Sequence, residues 1–180
     1  MLRRILNYGL IAGIIVAIPT VAIPMTFRHI SGAMGMAIGY TSMLIAFSTI
    51  FLAVKRQRDE EQGGVIRFLP ALGMGLGISV IASVIYVLAW EVYMAIAHYD
   101  FGADYARMMI AQARASGATG AVLAKAVAEA AEFQRQYADP LFRFPMTFVE
   151  IFPVGVLVSL ICAGLLCNSR FLPARRAAPA

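Results

Sequence analysis

The sequence predicts an all-α membrane protein: a four-transmembrane-helix bundle with an extracytoplasmic helical hairpin between spans 3 and 4. Its 180 residues are 61% hydrophobic and only 14% charged, whereas soluble domains are nearer half apolar and a quarter charged. The apolar residues also fall into long runs, and the run Phe68–Ala97 contains a single charged residue, Glu91. As one helix this run measures about 45 Å, more than the ~30 Å core of a bilayer.

Four such runs define a single membrane domain, residues 1–180. Arg3 and Arg4 precede the first run, which is too long for a typical signal peptide, so we expect an uncleaved helix. The charged stretch Lys55–Gly64 after the second run is interpreted as a short loop that turns at its glycine pair. The predicted spans are residues 5–27, 32–54, 68–97 and 146–167.

The basic residues predict the orientation of the chain. Four spans place both termini on one side of the membrane, and nine lysines and arginines flank that side: Arg3, Arg4, Lys55, Arg56, Arg58, Arg67, Arg170, Arg175 and Arg176. Because cytoplasmic loops carry an excess of lysine and arginine, we expect both termini in the cytoplasm. Basic residues that border spans fit topology better than binding to nucleic acid.

The segment 98–145 is the one long polar excursion, and its pattern is helical. Residues 104–115 and 119–137 form two candidate helices, separated by Gly117 and Gly120. Two roles stay open from the sequence. The hairpin either covers the outer end of the bundle, or it acts as a lid or as a surface for a partner.

Small residues recur at every fourth position in each span. Such rows let helix backbones approach closely in lipid, where burial of apolar side chains gives no driving force. We therefore expect a compact bundle, with any surplus row available for homo-oligomerisation. The rows are Gly9, Gly13 and Ala17; Gly35 and Gly39; Ala71, Gly75, Ser79 and Ser83, with Gly73 and Gly77 beside them; and Gly155, Ser159 and Ala163.

Two carboxylates at the outer ends of spans are the candidates for chemistry. Ionisable groups within spans are costly unless paired or hydrated, so Glu91 and Glu150 are functional candidates. Glu150 is the stronger of the two candidates, because the nearby Pro153 leaves the Val149 carbonyl without its helical hydrogen bond. The alternative is structural: such carboxylates reach water at the interface or pair with an arginine such as Arg143.

Kinked helices could bring several of these side chains into one outward-facing cleft. The candidate functional residues are Glu91, Glu150, Pro153, Tyr86, Arg28 and His29. His98 and Asp100 at the mouth are weak candidates for metal ligands, and their spacing matches no metal motif. No cofactor is expected, since the chain has no phosphate-binding loop and no nucleophile elbow.

A series of short motifs resembles a known family. In order along the chain they are Gly39–Tyr40, Lys55, Gly63–Gly64 leading to Phe68, Tyr86, Tyr93, Asp100–Phe101, Tyr105, and Glu150-Ile151-Phe152-Pro153-Val154-Gly155. Their order and spacing resemble domain-of-unknown-function family 4199, over roughly residues 5 to 170. The resemblance implies a four-span protein of the bacterial cytoplasmic (inner) membrane. It implies no established activity and no catalytic residues.

Three classes of function follow, and the first is favoured. The protein is expected to be a non-catalytic accessory or assembly subunit, which binds a protein partner or a second copy through its hairpin and small-residue faces. The alternative is a small-solute or ion carrier that uses Glu91 and Glu150. The third class, an enzyme acting on lipid-linked substrates, lacks a visible nucleophile and base.

Overall fold

The computed structural model describes residues 1–26 and 32–173, and every regular element within them is helical. The α-helices are α1 Leu2–Thr26, α2 Gly32–Arg56, α3 Phe68–Ala97, α4 Phe101–Ala115, α5 Gly120–Tyr137 and α6 Pro140–Leu166. Four helices, α1, α2, α3 and α6, are long and apolar enough to cross a bilayer. The predicted class, an all-helical protein with four helices long and apolar enough to span a membrane, is confirmed. The side of the membrane on which the hairpin lies stays a prediction.

The chain forms two compact units. Met1–Trp90 and Phe148–Ala180 make up the first, which we call the four-helix unit, and Glu91–Thr147 make up the second, the hairpin unit. The hairpin unit contains α4 and α5 complete, while α3 and α6 each contribute residues to both units.

The predicted loop Lys55–Gly64 is helical over most of its length, so this expectation was wrong. α2 passes directly into a π-helical turn that ends at Glu61. Polar residues four apart stabilise the extension: Lys55 pairs with Asp59, and the Gln57 amide donates to the Glu61 carboxylate at 2.6 Å. The chain turns only at the following glycine pair, whose φ angles are 62° and 89°.

The fourth apolar helix begins earlier than predicted. It starts at Pro140 rather than at Met146. Proline suits the first position of a helix, where its missing N–H is not needed. The Asp139 carboxylate accepts from the Leu141 amide at 2.9 Å and so caps this end. The third span, in contrast, has the bounds predicted for it.

The predicted helices of the hairpin are both present. α4 begins at Phe101 rather than at Asp104, because the Asp100 side chain caps it by accepting from the Ala103 amide at 2.9 Å. α5 matches the predicted helix 119–137 to within one residue. The polar excursion is therefore a helical hairpin.

Small residues bring α3 and α6 into close contact in the four-helix unit. A Cβ atom added to Gly75 would lie 2.7 Å from the Ser159 hydroxyl, and one added to Gly155 would lie 2.5 Å from the Ser79 hydroxyl. Each serine also donates to the carbonyl four residues earlier, at 2.9 Å for Ser79 and 2.7 Å for Ser159. These two rows pack as predicted, and only glycine fits opposite each serine.

The other small-residue rows divide into packed and open positions. Gly9 and Gly13 of α1 lie against Ile81 and Ile85 of α3, so this row also packs within the protein. In the part of the chain that the structure describes, nothing lies within 4 Å of a Cβ added to Gly39. The row on α2 is therefore open at this position.

The hairpin unit is held by aromatic rings. Neighbouring rings have centroids 4.8 to 6.5 Å apart, distances at which tilted and offset aromatic pairs attract. Ala106 of α4 and Ala130 of α5 are buried beside them. The ring cluster consists of Tyr93, Tyr99, Phe101, Tyr105, Phe133 and Tyr137.

Candidate functional site

The structure brings together some residues of the predicted cleft. Tyr86 and Glu150 meet in the four-helix unit. Glu91 belongs to the hairpin unit, where it has a partner of its own. Arg28 and His29 lie outside the described residues. A cleft shared by the two carboxylates therefore stays a prediction.

Glu150 is an exposed residue on an apolar helix. Its Oε2 atom accepts from the Tyr86 hydroxyl at 3.3 Å, which is long for a hydrogen bond between two oxygens. Tyr86 itself is only 8% exposed, whereas Glu150 is an exposed residue whose carboxylate is partly covered by this contact. Glu150 lies about 24 Å along α6 from Leu166, within the ~30 Å that a bilayer core requires.

A second acceptor lies beside this carboxylate. Pro153 has no N–H to offer the Val149 carbonyl, which therefore lacks its normal helical donor. Val149 is 63% exposed and Glu150 is exposed as well, so both residues are at the surface of α6. We call the Glu150 carboxylate and the Val149 carbonyl the acceptor patch. It suits a ligand or a partner that supplies hydrogen-bond donors or positive charge.

Glu91 is held by a forked ion pair. Arg143 donates from Nε to Oε1 at 2.6 Å and from Nη2 to Oε2 at 2.5 Å. The same guanidinium donates to the Tyr137 carbonyl at 3.0 Å and lies 5.8 Å from the centroid of the Tyr137 ring. Both charged side chains are largely buried, at 21% exposure for Glu91 and 15% for Arg143. Glu91 thus anchors the hairpin unit, as in the structural alternative considered from the sequence.

The weak metal candidates have other roles. Asp100 caps α4 with its carboxylate. His98 follows the last residue of α3 and has a φ of 49°, the left-handed conformation that commonly ends helices. Among the described residues, no group of three or more His, Cys, Asp or Glu side chains is placed to hold a metal ion.

Arg58 is a buried residue that the sequence did not single out. Its side chain is completely buried and donates to the Asp59 carboxylate at 2.7 Å. It also donates to the carbonyls of Phe171 and Leu172, at 2.9 and 2.5 Å. Arg58 therefore ties the chain that follows α6 to the end of α2. A basic residue in a charged run carries no local signal of such burial.

A second polar network lies at the same end of the four-helix unit. Arg4 contacts Glu60 at 2.7 Å and Glu61 at 2.9 Å, and Gln57 donates to the same Glu61 carboxylate. This network joins the start of α1 to the π-helical turn. The spacing of Gln57 and Glu61 signals a helix, but nothing in the sequence signals the pairing with Arg4.

Two groups outside the spans have shifted acidity. Burial, together with a hydrogen bond to Asp104, raises the pKa of Tyr99 from 10.0 to about 12. A hydrogen bond from Arg135, with a second from Gln136, lowers the pKa of Glu132. The Tyr99 hydroxyl is therefore a strongly held donor within the ring cluster.

Comparison with known proteins identifies a family. The model of the family described as "Protein of unknown function (DUF4199)" matches residues 7–168. No curated protein matches the chain, and no solved structure matches it. The match covers most of the chain and agrees with the resemblance found in its motifs. The chain belongs to the DUF4199 family.

Proposed function

We propose that the protein is a non-catalytic accessory or assembly subunit of a membrane complex, which binds a transmembrane helix of another protein at the acceptor patch. The observation that carries this role is the exposure of Glu150 on an apolar helix, beside the Val149 carbonyl. Acceptors that face lipid cost several kcal/mol unless a donor reaches them. A partner helix that supplies a donor removes this cost.

The occupant is a different protein rather than a second copy. In a symmetric pair the same surface meets itself, so two copies joined through this face would bring two Glu150 carboxylates together. Two carboxylates repel, whereas a lysine, arginine or amide side chain on a partner helix complements them. Exposed aliphatic residues on the same face of α6, such as Leu157 two turns further along, make the apolar contacts with the partner helix.

The orientation of the subunit follows from its basic residues. We place both termini in the cytoplasm, the hairpin on the opposite side, and the protein in the bacterial inner membrane. Arg3, Lys55, Arg56 and Arg67 lie beside the helix ends that this orientation directs inwards. Labelling of a single cysteine at Ser116, in the hairpin, from outside intact cells tests it.

Site-specific photocrosslinking in native membranes tests the partner. A photoreactive residue at Leu157 should give an adduct with a transmembrane segment that carries a donor side chain, identified by mass spectrometry. A photoreactive residue at Ile14, exposed on α1, is the matched control and should give no such adduct. Glu150→Leu should abolish the Leu157 adduct, and Glu150→Gln should weaken it, with the amount of protein in the membrane unchanged.

Two results would contradict this role. One is an adduct between two copies of the chain at Leu157. The other is an adduct with a partner that persists in Glu150→Leu, because the acceptor patch would then contribute nothing.

The carrier alternative has one residue in its favour, since Glu150 is accessible while Glu91 is held by Arg143. A carrier needs a carboxylate that binds and releases its ion. Purified protein in liposomes with an imposed ion gradient distinguishes the two functions. Transport that is lost in Glu150→Gln would replace the subunit role by a carrier role.

A further inference from the structure

One end of the four-helix unit carries a large excess of positive charge. At this end α1 and α3 begin, and α2 and α6 end. In the part of the chain that the structure describes, this end has eight positive groups and three carboxylates. The positive groups are the N-terminal ammonium, Arg3, Arg4, Lys55, Arg56, Arg58, Arg67 and Arg170, and the carboxylates are Asp59, Glu60 and Glu61.

The three carboxylates are already engaged within the protein. Arg58 donates to Asp59 at 2.7 Å, and Arg4 contacts Glu60 and Glu61 at 2.7 and 2.9 Å. These contacts also fix the end as one structure, since they join the start of α1 and the end of α2. Arg58 adds the chain after α6 through the carbonyl at Phe171.

Four arginines are left at this end, and all are exposed. Arg3 lies in the first turn of α1, Arg56 is the last residue of α2, Arg67 immediately precedes α3, and Arg170 follows α6. None of them has an acidic partner among the described residues. Each is therefore available to an external anion.

Exposed aliphatic side chains lie close in the sequence to two of these arginines. Leu2, next to Arg3, is 70% exposed, and Leu69, two residues after Arg67, is 74% exposed. A guanidinium group next to a bare aliphatic side chain matches the boundary between headgroups and acyl chains in a bilayer. A soluble anion would contact only the arginines, and the exposed aliphatic side chains would be left without a partner.

We propose that this end is a binding site for anionic phospholipids, whose headgroup phosphates contact Arg3, Arg56, Arg67 and Arg170. The planar guanidinium presents a fork of N–H donors that matches two phosphate oxygens. A basic residue near an anionic membrane surface strengthens binding about fivefold. The same guanidinium groups would also bind free phosphate. Binding of phospholipid and binding of free phosphate therefore have to be tested separately.

The experiment measures lipid binding to the full chain in a neutral detergent by native mass spectrometry. The probes are phosphatidylglycerol, phosphatidylcholine and inorganic phosphate. The test variant is R3Q/R56Q/R67Q, and the matched control is R107Q/R114Q/R135Q, which removes the same charge from exposed arginines of α4 and α5. Thermal melting in lipid-free detergent checks that both variants are folded.

Wild type should bind phosphatidylglycerol in preference to phosphatidylcholine, and inorganic phosphate should not compete at equal concentration. The test variant should lose about a hundredfold in affinity for phosphatidylglycerol if each arginine contributes independently, while the control should stay within about twofold of wild type. Should the triple variant fail to fold, each single variant should lose about fivefold.

Three outcomes would overturn the site. Equal losses in test and control variants would show an effect of net charge alone. Equal binding of the two lipids would show that the headgroup charge is irrelevant. Competition by inorganic phosphate at equal concentration would make this a site for a soluble anion.

Discussion

The two units of this chain associate their helices by different means. In the four-helix unit α3 and α6 approach until a glycine on each helix faces a serine on the other. In the hairpin unit α4 and α5 meet through large aromatic rings, with charged side chains on their exposed faces. The difference follows from the solvent. Lipid gives apolar side chains no reason to cluster, so close backbone contact stabilises the helices, whereas in water the burial of rings does so.

The largest expected effect breaks the close contact in the four-helix unit. Gly155→Leu should lower the free energy of unfolding by about 3 kcal/mol, because any Cβ there overlaps the Ser79 hydroxyl and forces the helices apart. Unfolding in detergent with increasing denaturing surfactant measures it. Gly164→Leu on the same helix is the control, since no described atom lies within 4 Å of its added Cβ.

A smaller substitution tests the same contact between α3 and α6 in a protein that still folds. Gly155→Ala should destabilise the unit, and adding Ser79→Gly should restore much of the loss by removing the overlapping side chain. If Gly155→Leu unfolds like wild type, α3 and α6 do not pack through these rows.

An intermediate effect is expected in the hairpin unit. Glu91→Gln should destabilise this unit by about 2 kcal/mol, because Arg143 loses a partly buried, charge-assisted pair. Faster hydrogen exchange of the amides in α4 and α5 measures it. Glu132→Gln is the control: its pair with Arg135 is exposed to solvent and should contribute little to stability.

The same variant separates anchoring from function. Unchanged exchange in Glu91→Gln, together with loss of the partner adduct at Leu157, would contradict the anchoring role and favour the predicted cleft.

The smallest effect is a dependence on alkaline pH. Tyr99 has its pKa raised from 10.0 to about 12 by burial, so the folded hairpin holds the neutral phenol more tightly than the unfolded chain does. This contribution is complete below pH 10 and is lost as the pH rises through 12. The difference in stability between wild type and Tyr99→Phe should therefore change across this interval. A difference independent of pH would show that Tyr99 titrates normally in the folded protein.

Much of the fold could be predicted because hydropathy and turn chemistry are local. The bounds of α3 follow from an uninterrupted apolar run, and the hairpin helices follow from their helical spacing and glycines. Local reasoning failed where a charge run was taken for a loop. Lys55–Glu61 is helical because its polar side chains find partners along the helix and across the unit.

The sequence by itself determined the membrane class, the four helices that are long and apolar enough to span a bilayer, and the family, since each depends on residue types and their spacing along the chain. Only the tertiary structure decided which polar groups are partners. Arg4 and Glu60 are 56 residues apart, Arg58 and Phe171 are 113 apart, and Glu91 and Arg143 are 52 apart.

Glu91 and Glu150 illustrate the same limit at the candidate site. Both are single carboxylates in apolar runs, and in the sequence only the nearby Pro153 distinguishes Glu150 from Glu91. In the structure Glu91 forms a bidentate ion pair with Arg143, whereas Glu150 lies at the surface and accepts a long hydrogen bond from Tyr86. The neighbours of a side chain depend on which helices meet and at what rotation, and that choice is made by contacts summed over whole helices.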